Sequence, residues 1–423
     1  MDPDYWIAQA ASADNVVLDA AAIAAQNERL HRTDDSVMDI EKIAPMLARA
    51  QVREWIDDLS QRPQRTLFDV QGNEVGSGQI DDLIRNLNLD AVPETQQARY
   101  GLVVHRADLR TFPTRLRVFS RRGDTDIDRF QENALFPGTP VIVAHESADG
   151  RWWFVVSALY SAWIEKEAVA IGPADEVFAY TRKSPYLIVT GAKANTVFSP
   201  ERPEVSELQL DMGVRVPVLA DWPANKPVNG QHPYTAHVIE LPYRSADGAL
   251  HFTPALVPKT SDVAADYLPL TRANLLRQSF KFLGERYGWG HSYNARDCSG
   301  FVSEVYRSFG VQLPRNTRDQ GVSPAFDRIT LTEKHSYEDR LAIMRQLQIG
   351  DLVYIPGHVM MVIGRQDGLP YVIHDTTGVT YREANGEIAR ADLNAVSVTP
   401  LVPLLLGEER PMIESVYSVQ RIR

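Results

Sequence analysis

The chain contains one cysteine, and its setting offers nucleophilic chemistry. Cys298 stands in Arg296-Asp297-Cys298-Ser299-Gly300, and Phe301, Val302, Val305, Tyr306 and Phe309 follow it along one helical face. Asp297 is placed to cap that helix. The thiol is therefore expected in the first turn, where free N–H groups and the helix dipole favour a thiolate. The plain alternative is a small buried hydrophobe, since free cysteine is among the most buried residue types.

Two histidines bear on that choice. Gly350-Asp351-Leu352-Val353-Tyr354-Ile355-Pro356-Gly357-His358 reads as a strand and a Pro-Gly turn, with His358 opening a second strand. Tyr371-Val372-Ile373-His374-Asp375 reads as a neighbouring strand. A thiol nucleophile needs an imidazole to take its proton, and the imidazole needs a partner to fix its tautomer and orientation. Strand alternation sets His374 and Asp375 on opposite faces, so only one of them takes the third position easily. His374 is favoured, with Asp375 as the alternative.

The same residues resemble the NlpC/P60 family of cell-wall cysteine peptidases. The resemblance rests on Tyr287-Gly288-Trp289-Gly290, Asp297-Cys298-Ser299-Gly300-Phe301-Val302, Leu313-Pro314-Arg315, Gly350-Asp351-Leu352, His358 and His374, and covers roughly residues 270–403. It implies Cys298 as nucleophile, His358 as general base and His374 as the orienting third member. It also implies that Tyr287 lies near the thiol and that backbone N–H groups near Cys298 bind the oxyanion. Members with a similar architecture are γ-D-glutamyl-L-diamino acid endopeptidases of murein stem peptides, in which the first SH3 module helps select a free N-terminal L-Ala. The resemblance makes Asp297, Ser299, Tyr160 and, by a looser match, Glu132 candidates for holding that ammonium. Arg315 is a candidate for a substrate carboxylate. Each has an ordinary reading as well: a helix cap for Asp297, a first-turn residue for Ser299, barrel surface for Tyr160, a solvated charge for Glu132 and a local ion pair for Arg315. Trp152, Trp153 and Trp163 read as core.

Stepping outward along the chain, residues 1–95 read as a helical segment. Residues 96–172 turn to short strands: Pro140–His145, a Ser147-Ala148-Asp149-Gly150 turn and Arg151–Val156. Such strands with tight turns look like a bacterial SH3 (SH3b) domain. Residues 173–270 are expected to form a second one, because Ser245-Ala246-Asp247-Gly248 echoes the first turn. The catalytic unit then occupies 271–423, with Thr271 capping a helix through Leu275, Leu276, Phe280 and Leu283. Its segment 318–349 is read as an insertion bordering the cleft. The expected fold class is an α+β multidomain protein: a helical N-terminal segment, two SH3b-like small β-barrels and a papain-like α+β unit.

Composition limits the alternatives. Hydrophobic content of 44% and charged content of 23% over 423 residues supply material for several cores. A net charge of −11 argues against nucleic acid as partner. No apolar run approaches the ~20 residues of a membrane span. CxxC pairs and HExxH are absent, so neither a metal nor another cofactor is expected. One cysteine excludes an intrachain disulfide. The first residues lack a secretory pattern, which leaves a cytoplasmic location, or the envelope or exterior if a signal has been removed. Murein stem peptides are the expected partners. Two competing readings share these features: a thiol acyltransferase or amidase on the same fold, and a catalytically inert wall-binding SH3b protein.

Overall fold

The computed structural model describes residues 2–407 and 409–423. Its contacts divide into two compact units. The first comprises residues 2–37, 267–288 and 294–423; the second comprises 38–266 and 289–293.

The helical N-terminal region is shared between them. Helix α1 (Pro3–Gln9) starts on Asp2, whose side chain accepts from the Asp4 N–H, and α2 (Ala20–Thr33) starts on Asp19, which accepts from the Ala22 N–H at 2.8 Å. Helix α2 buries Ile23, Gln26 and Leu30 along one face. Both helices belong to the first unit. Trp6 packs on Tyr371 with ring centroids 5.4 Å apart, the Asn27 amide donates to the Gly310 carbonyl at 2.8 Å, and Ser323 Oγ donates to Asp34. Helices α3 (Arg49–Leu59) and α4 (Ser77–Asn86) belong to the second unit. There Val52, Ile56 and Ile80 share a core with Phe112, Phe154 and Trp163.

The second unit is mostly strand. Strands β1 (Arg99–Val103), β2 (Ala107–Arg110), β3 (Gln131–Leu135), β4 (Pro140–Glu146), β5 (Trp152–Val156), β6 (Ser161–Glu165) and β7 (Val169–Gly172) form one sheet in the order β7-β1-β4-β5-β6-β2-β3. Trp152, Trp153 and Trp163 are core residues of this region. After α5 (Ala174–Arg182), further strands include the long hairpin β8 (Ala236–Arg244) and β9 (Leu250–Pro258). The two Ser-Ala-Asp-Gly turns are built alike. In each, the serine hydroxyl donates to the aspartate two residues on, and the glycine N–H returns to the serine carbonyl.

A five-residue loop, Trp289–Tyr293, is also built into this unit. Trp289 Nε1 donates to the Gln131 carbonyl at 3.0 Å, Gln131 Nε2 to the Gly290 carbonyl at 2.8 Å, and an Arg106 nitrogen to the His291 carbonyl at 2.8 Å. Gly290, at φ +56°, leaves no room for a side chain: an added Cβ would lie 2.9 Å from Gln131 Cγ and 3.0 Å from the Glu132 carbonyl carbon.

The first unit places helices beside a six-stranded sheet. Helix α6 (Arg272–Phe280) is capped by Thr271 Oγ1 on the Asn274 N–H at 3.0 Å. It ends at Phe280 rather than continuing through Leu283, because the chain turns toward Gly284 at φ +84°. Then follow α7 (Cys298–Arg307), α8 (Thr317–Val322), β10 (Asp327–Thr330), α9 (Tyr337–Met344), β11 (Leu352–Ile355), β12 (His358–Gln366), β13 (Leu369–Thr376), β14 (Ala395–Pro400) and β15 (Ser418–Arg421). The sheet order is β10-β15-β11-β12-β13-β14, and α7 packs on β12 and β13. The 318–349 segment, expected to be an insertion, is framework. It carries most of α8 and all of β10 and α9; Gln320 Nε2 donates to the Pro314 carbonyl and Ser303 Oγ, and Arg340 donates to the Val416 carbonyl. Helices and strands in separate runs make the whole chain α+β.

Candidate active site

The position of Cys298 follows from the first turn of α7. Asp297 has extended backbone angles, and its Oδ1 accepts from the Gly300 N–H at 2.8 Å. The following apolar face, Phe301, Val302, Val305 and Tyr306, is fully buried and holds the helix down, so the thiol is fixed by packing. Cys298 is 5% exposed. The N–H of Val359, next to His358 on β12, hydrogen-bonds its sulfur.

The histidines come together as strand alternation requires. Pro356-Gly357 forms a two-residue turn in which Ile355 faces His358 and Gly357 sits at φ +78°, a conformation that favours glycine. Met361 lies opposite Ile373 between β12 and β13, which sets His358 and His374 on one face and Asp375 on the other. His358 Nε2 lies 2.8 Å from His374 Nδ1, and His374 Nε2 lies 3.0 Å from Thr399 Oγ1 on β14. Thr399 was not singled out from sequence; its only signal was the polar alternation of Ser397 and Thr399 within Val396-Ser397-Val398-Thr399.

The electrostatics differ from the helix-dipole expectation. Burial pushes the Cys298 thiol up to about 12, with the Asp297 charge adding to it; the Val359 N–H and Arg315 oppose. Burial also holds His358 below its ordinary value, against the pull of Asp297, and lowers His374 further with the help of His358. Burial thus favours the neutral form of the thiol and of both imidazoles. Desolvation outweighs the field of the first helical turn because the sulfur is withdrawn from water. Tyr287 is buried, and burial first of all pushes its phenol well above the ordinary tyrosine value.

The other candidate residues fall into two groups, each within its own unit. In the first unit, Arg315 donates to Asp297 Oδ2 at 2.8 Å and to Ser299 Oγ at 2.7 Å, while Ser299 Oγ lies 3.2 Å from Asp297 Oδ1. Asp297 is thus both helix cap and ion-pair partner. In the second unit, Glu132 is not a solvated charge: it accepts from Tyr160 Oη at 2.5 Å and from Thr111 Oγ1. Glu132 and Tyr160 therefore form one acidic, hydrogen-bonded patch. Among the described residues, no group of three or more His, Cys, Asp or Glu is arranged to hold a metal ion. Nor is any helix among them long and apolar enough to cross a membrane.

The α+β unit thus holds a buried thiol in the first turn of α7 and a two-histidine relay on the sheet against which α7 packs. Comparison with known proteins adds to this. Residues 284–398 match the NlpC/P60 family, and residues 117–165 match an SH3 domain of the SH3b1 type. The chain thus carries an NlpC/P60 domain that follows an SH3b domain in sequence. A γ-D-glutamyl-L-lysine dipeptidyl-peptidase of Bacillus cereus is 25% identical over 217 residues, 48% of this chain and 54% of that protein. The chain thus spans about half the length of that relative. A solved NlpC/P60 endopeptidase from Photobacterium damselae subsp. piscicida superposes with a TM-score of 0.78 at 17% identity, covering 99% of this chain and 96% of the other. An NlpC/P60 family protein from Bacillus cereus gives a TM-score of 0.51 at 19% identity, over 76% and 99% respectively. These two likenesses are of fold.

Proposed function

We propose that the protein is a cysteine endopeptidase that hydrolyses the γ-D-glutamyl–L-diamino acid bond of murein stem peptides bearing a free N-terminal L-Ala. The observation that carries the reading is the His358–His374–Thr399 hydrogen-bonded relay on the strands against which α7, with Cys298 in its first turn, packs. The tautomer with His358 Nε2–H donating to His374 Nδ1, and His374 Nε2–H donating to Thr399, leaves His358 Nδ1 free to accept the thiol proton. Because both groups rest neutral, proton transfer accompanies attack on the substrate carbonyl. The sulfur–carbon bond forms, the oxyanion is met by N–H groups of the first turn of α7 with Tyr287 nearby, and the carbon–nitrogen bond breaks as His358 returns the proton to the leaving amine. Water then hydrolyses the thioester.

Two groups, each taken within its own unit, have the chemistry that such a substrate calls for: the Glu132–Tyr160 patch and the Asp297–Ser299–Arg315 cluster. A carboxylate with a tyrosine hydroxyl suits an ammonium, which is costly to bury unpaired. Arg315 suits a carboxylate. Cell-wall turnover or recycling, in the envelope or in the cytoplasm, is the role proposed for such a reaction.

Incubation of the purified chain with L-Ala-γ-D-Glu-meso-diaminopimelate should release L-Ala-D-Glu, and Cys298→Ala should abolish it. Intact Cys298 with no release would defeat the reading. Transfer of the acyl group to an added amine in place of water would favour an acyltransferase instead.

A further inference from the structure

Asp375 lies outside the relay. It is wholly buried, and neither carboxyl oxygen has a hydrogen-bond partner among the described residues. It projects from the opposite face of β13 to His374. The groups that act on it come from each neighbouring segment: Glu285 from the turn after α6, and Arg296 and Asp297 from the approach to α7. It acts in turn on Cys298 and Tyr287. Arg296 pairs with both Glu285 and Glu304, and Arg315 pairs with Asp297.

An ionised carboxylate with no donor, sealed from water beside other carboxylates, is among the most costly groups a protein can bury. The neutral acid avoids that cost, and burial followed by the charges of Asp297 and Glu285 drives Asp375 well above the ordinary carboxylate range. We propose that Asp375 carries a proton in the working enzyme as a positioning residue, sparing Cys298 a further negative charge so that the thiolate can form, and that its ionisation in alkali suppresses the thiolate. Asp375 is thus not a substitute for His374. It sets the charge against which the nucleophile must ionise. The inference rests on Cys298 being the nucleophile, as proposed above.

The test needs no substrate. Iodoacetamide alkylation of Cys298 is followed against pH in the full chain, as wild type and as Asp375→Asn, which keeps the shape and stays neutral. Near neutral pH the two should alkylate within about twofold, as a shared neutral state requires; in alkali the wild type should lag behind the variant. Tenfold faster alkylation of Asp375→Asn near neutrality would show that the wild-type carboxyl is already ionised, and would overturn the proposal. If the variant does not fold, infrared difference spectra of the wild type before and after alkylation decide. A protonated-carboxyl band that shifts on alkylation at neutral pH supports the proposal, and a shifted carboxylate band with no acid band overturns it. Both readouts are independent of the peptide-release assay, so failure of the substrate reading and failure of this inference are told apart.

Discussion

Thr399 extends the relay from two histidines to three residues, and its contribution can be measured. Thr399→Val removes one hydrogen bond to His374 Nε2 while nearly preserving volume. A loss of about 1 kcal/mol, roughly a fivefold fall in kcat, is expected, with KM for the stem peptide little changed. His374→Ala should cost more, about 10²-fold in kcat, because His358 then loses its orienting partner. Equal losses for the two variants would argue that Thr399 does more than hold the ring. At this scale, the placement of Cys298 in a first helical turn and of His358 and His374 on one strand face was legible because each type is scarce and its spacing follows helix and strand periods. Thr399 and Asp375 were harder to read. A threonine in a strand is ordinary, and whether a buried acid has donors depends on neighbours from three separate segments. The state of the thiol was misread for a related reason. The first turn of α7 is visible in sequence, but the depth at which it is buried is not.

Helix α7 depends on Asp297 in two ways, since one oxygen caps the helix and the other pairs with Arg315. Arg315→Met removes the guanidinium and leaves the buried carboxylate short of its counter-charge. A stability loss of about 3–5 kcal/mol is expected in urea unfolding, because the uncompensated charge rather than the lost contact dominates. A loss below about 1 kcal/mol would show that Gly300 N–H and Ser299 suffice for Asp297. Element boundaries were read well where caps mark them, as at Thr271 and Asp297. They were read less well after Phe280, where apolar residues continue past the end of the helix. The 318–349 segment was read as an insertion because of the long interval between Cys298 and His358; within it Arg340 donates to the nearby Thr332 and His335 carbonyls and to the distant Ile413 and Val416 carbonyls.

Over the whole molecule, pH acts through buried groups of opposite sign. His358 and His374 have lowered values in the folded state, so unfolding takes up protons; their contribution to stability is present above about pH 6.5 and is lost as pH falls through their folded values. Asp375 and Asp351 are raised, so their contribution is greatest at low pH and is lost as pH rises through theirs. Unfolding midpoints measured from about pH 7 down to 4 should therefore fall less steeply for a His358→Gln/His374→Gln variant than for the wild type. Parallel slopes would show that these imidazoles do not resist protonation. The broad α+β plan and the order of its domains were legible from strand and turn patterns. The division of the N-terminal helices between two units was not, because α1 and α2 are amphipathic in the same ordinary way as α3 and α4. Only their long-range partners distinguish them.

Those partners impose a schedule on synthesis. Trp6, Asn27 and Asp34 find Tyr371, Gly310 and Ser323 only after nearly three hundred further residues or more have been made. Until then an emerging chain holds α1 and α2 with the buried faces of Trp6, Ile23 and Leu30 uncovered. A fragment begun at residue 267 would meet the converse difficulty, lacking the indole of Trp6 that packs on Tyr371.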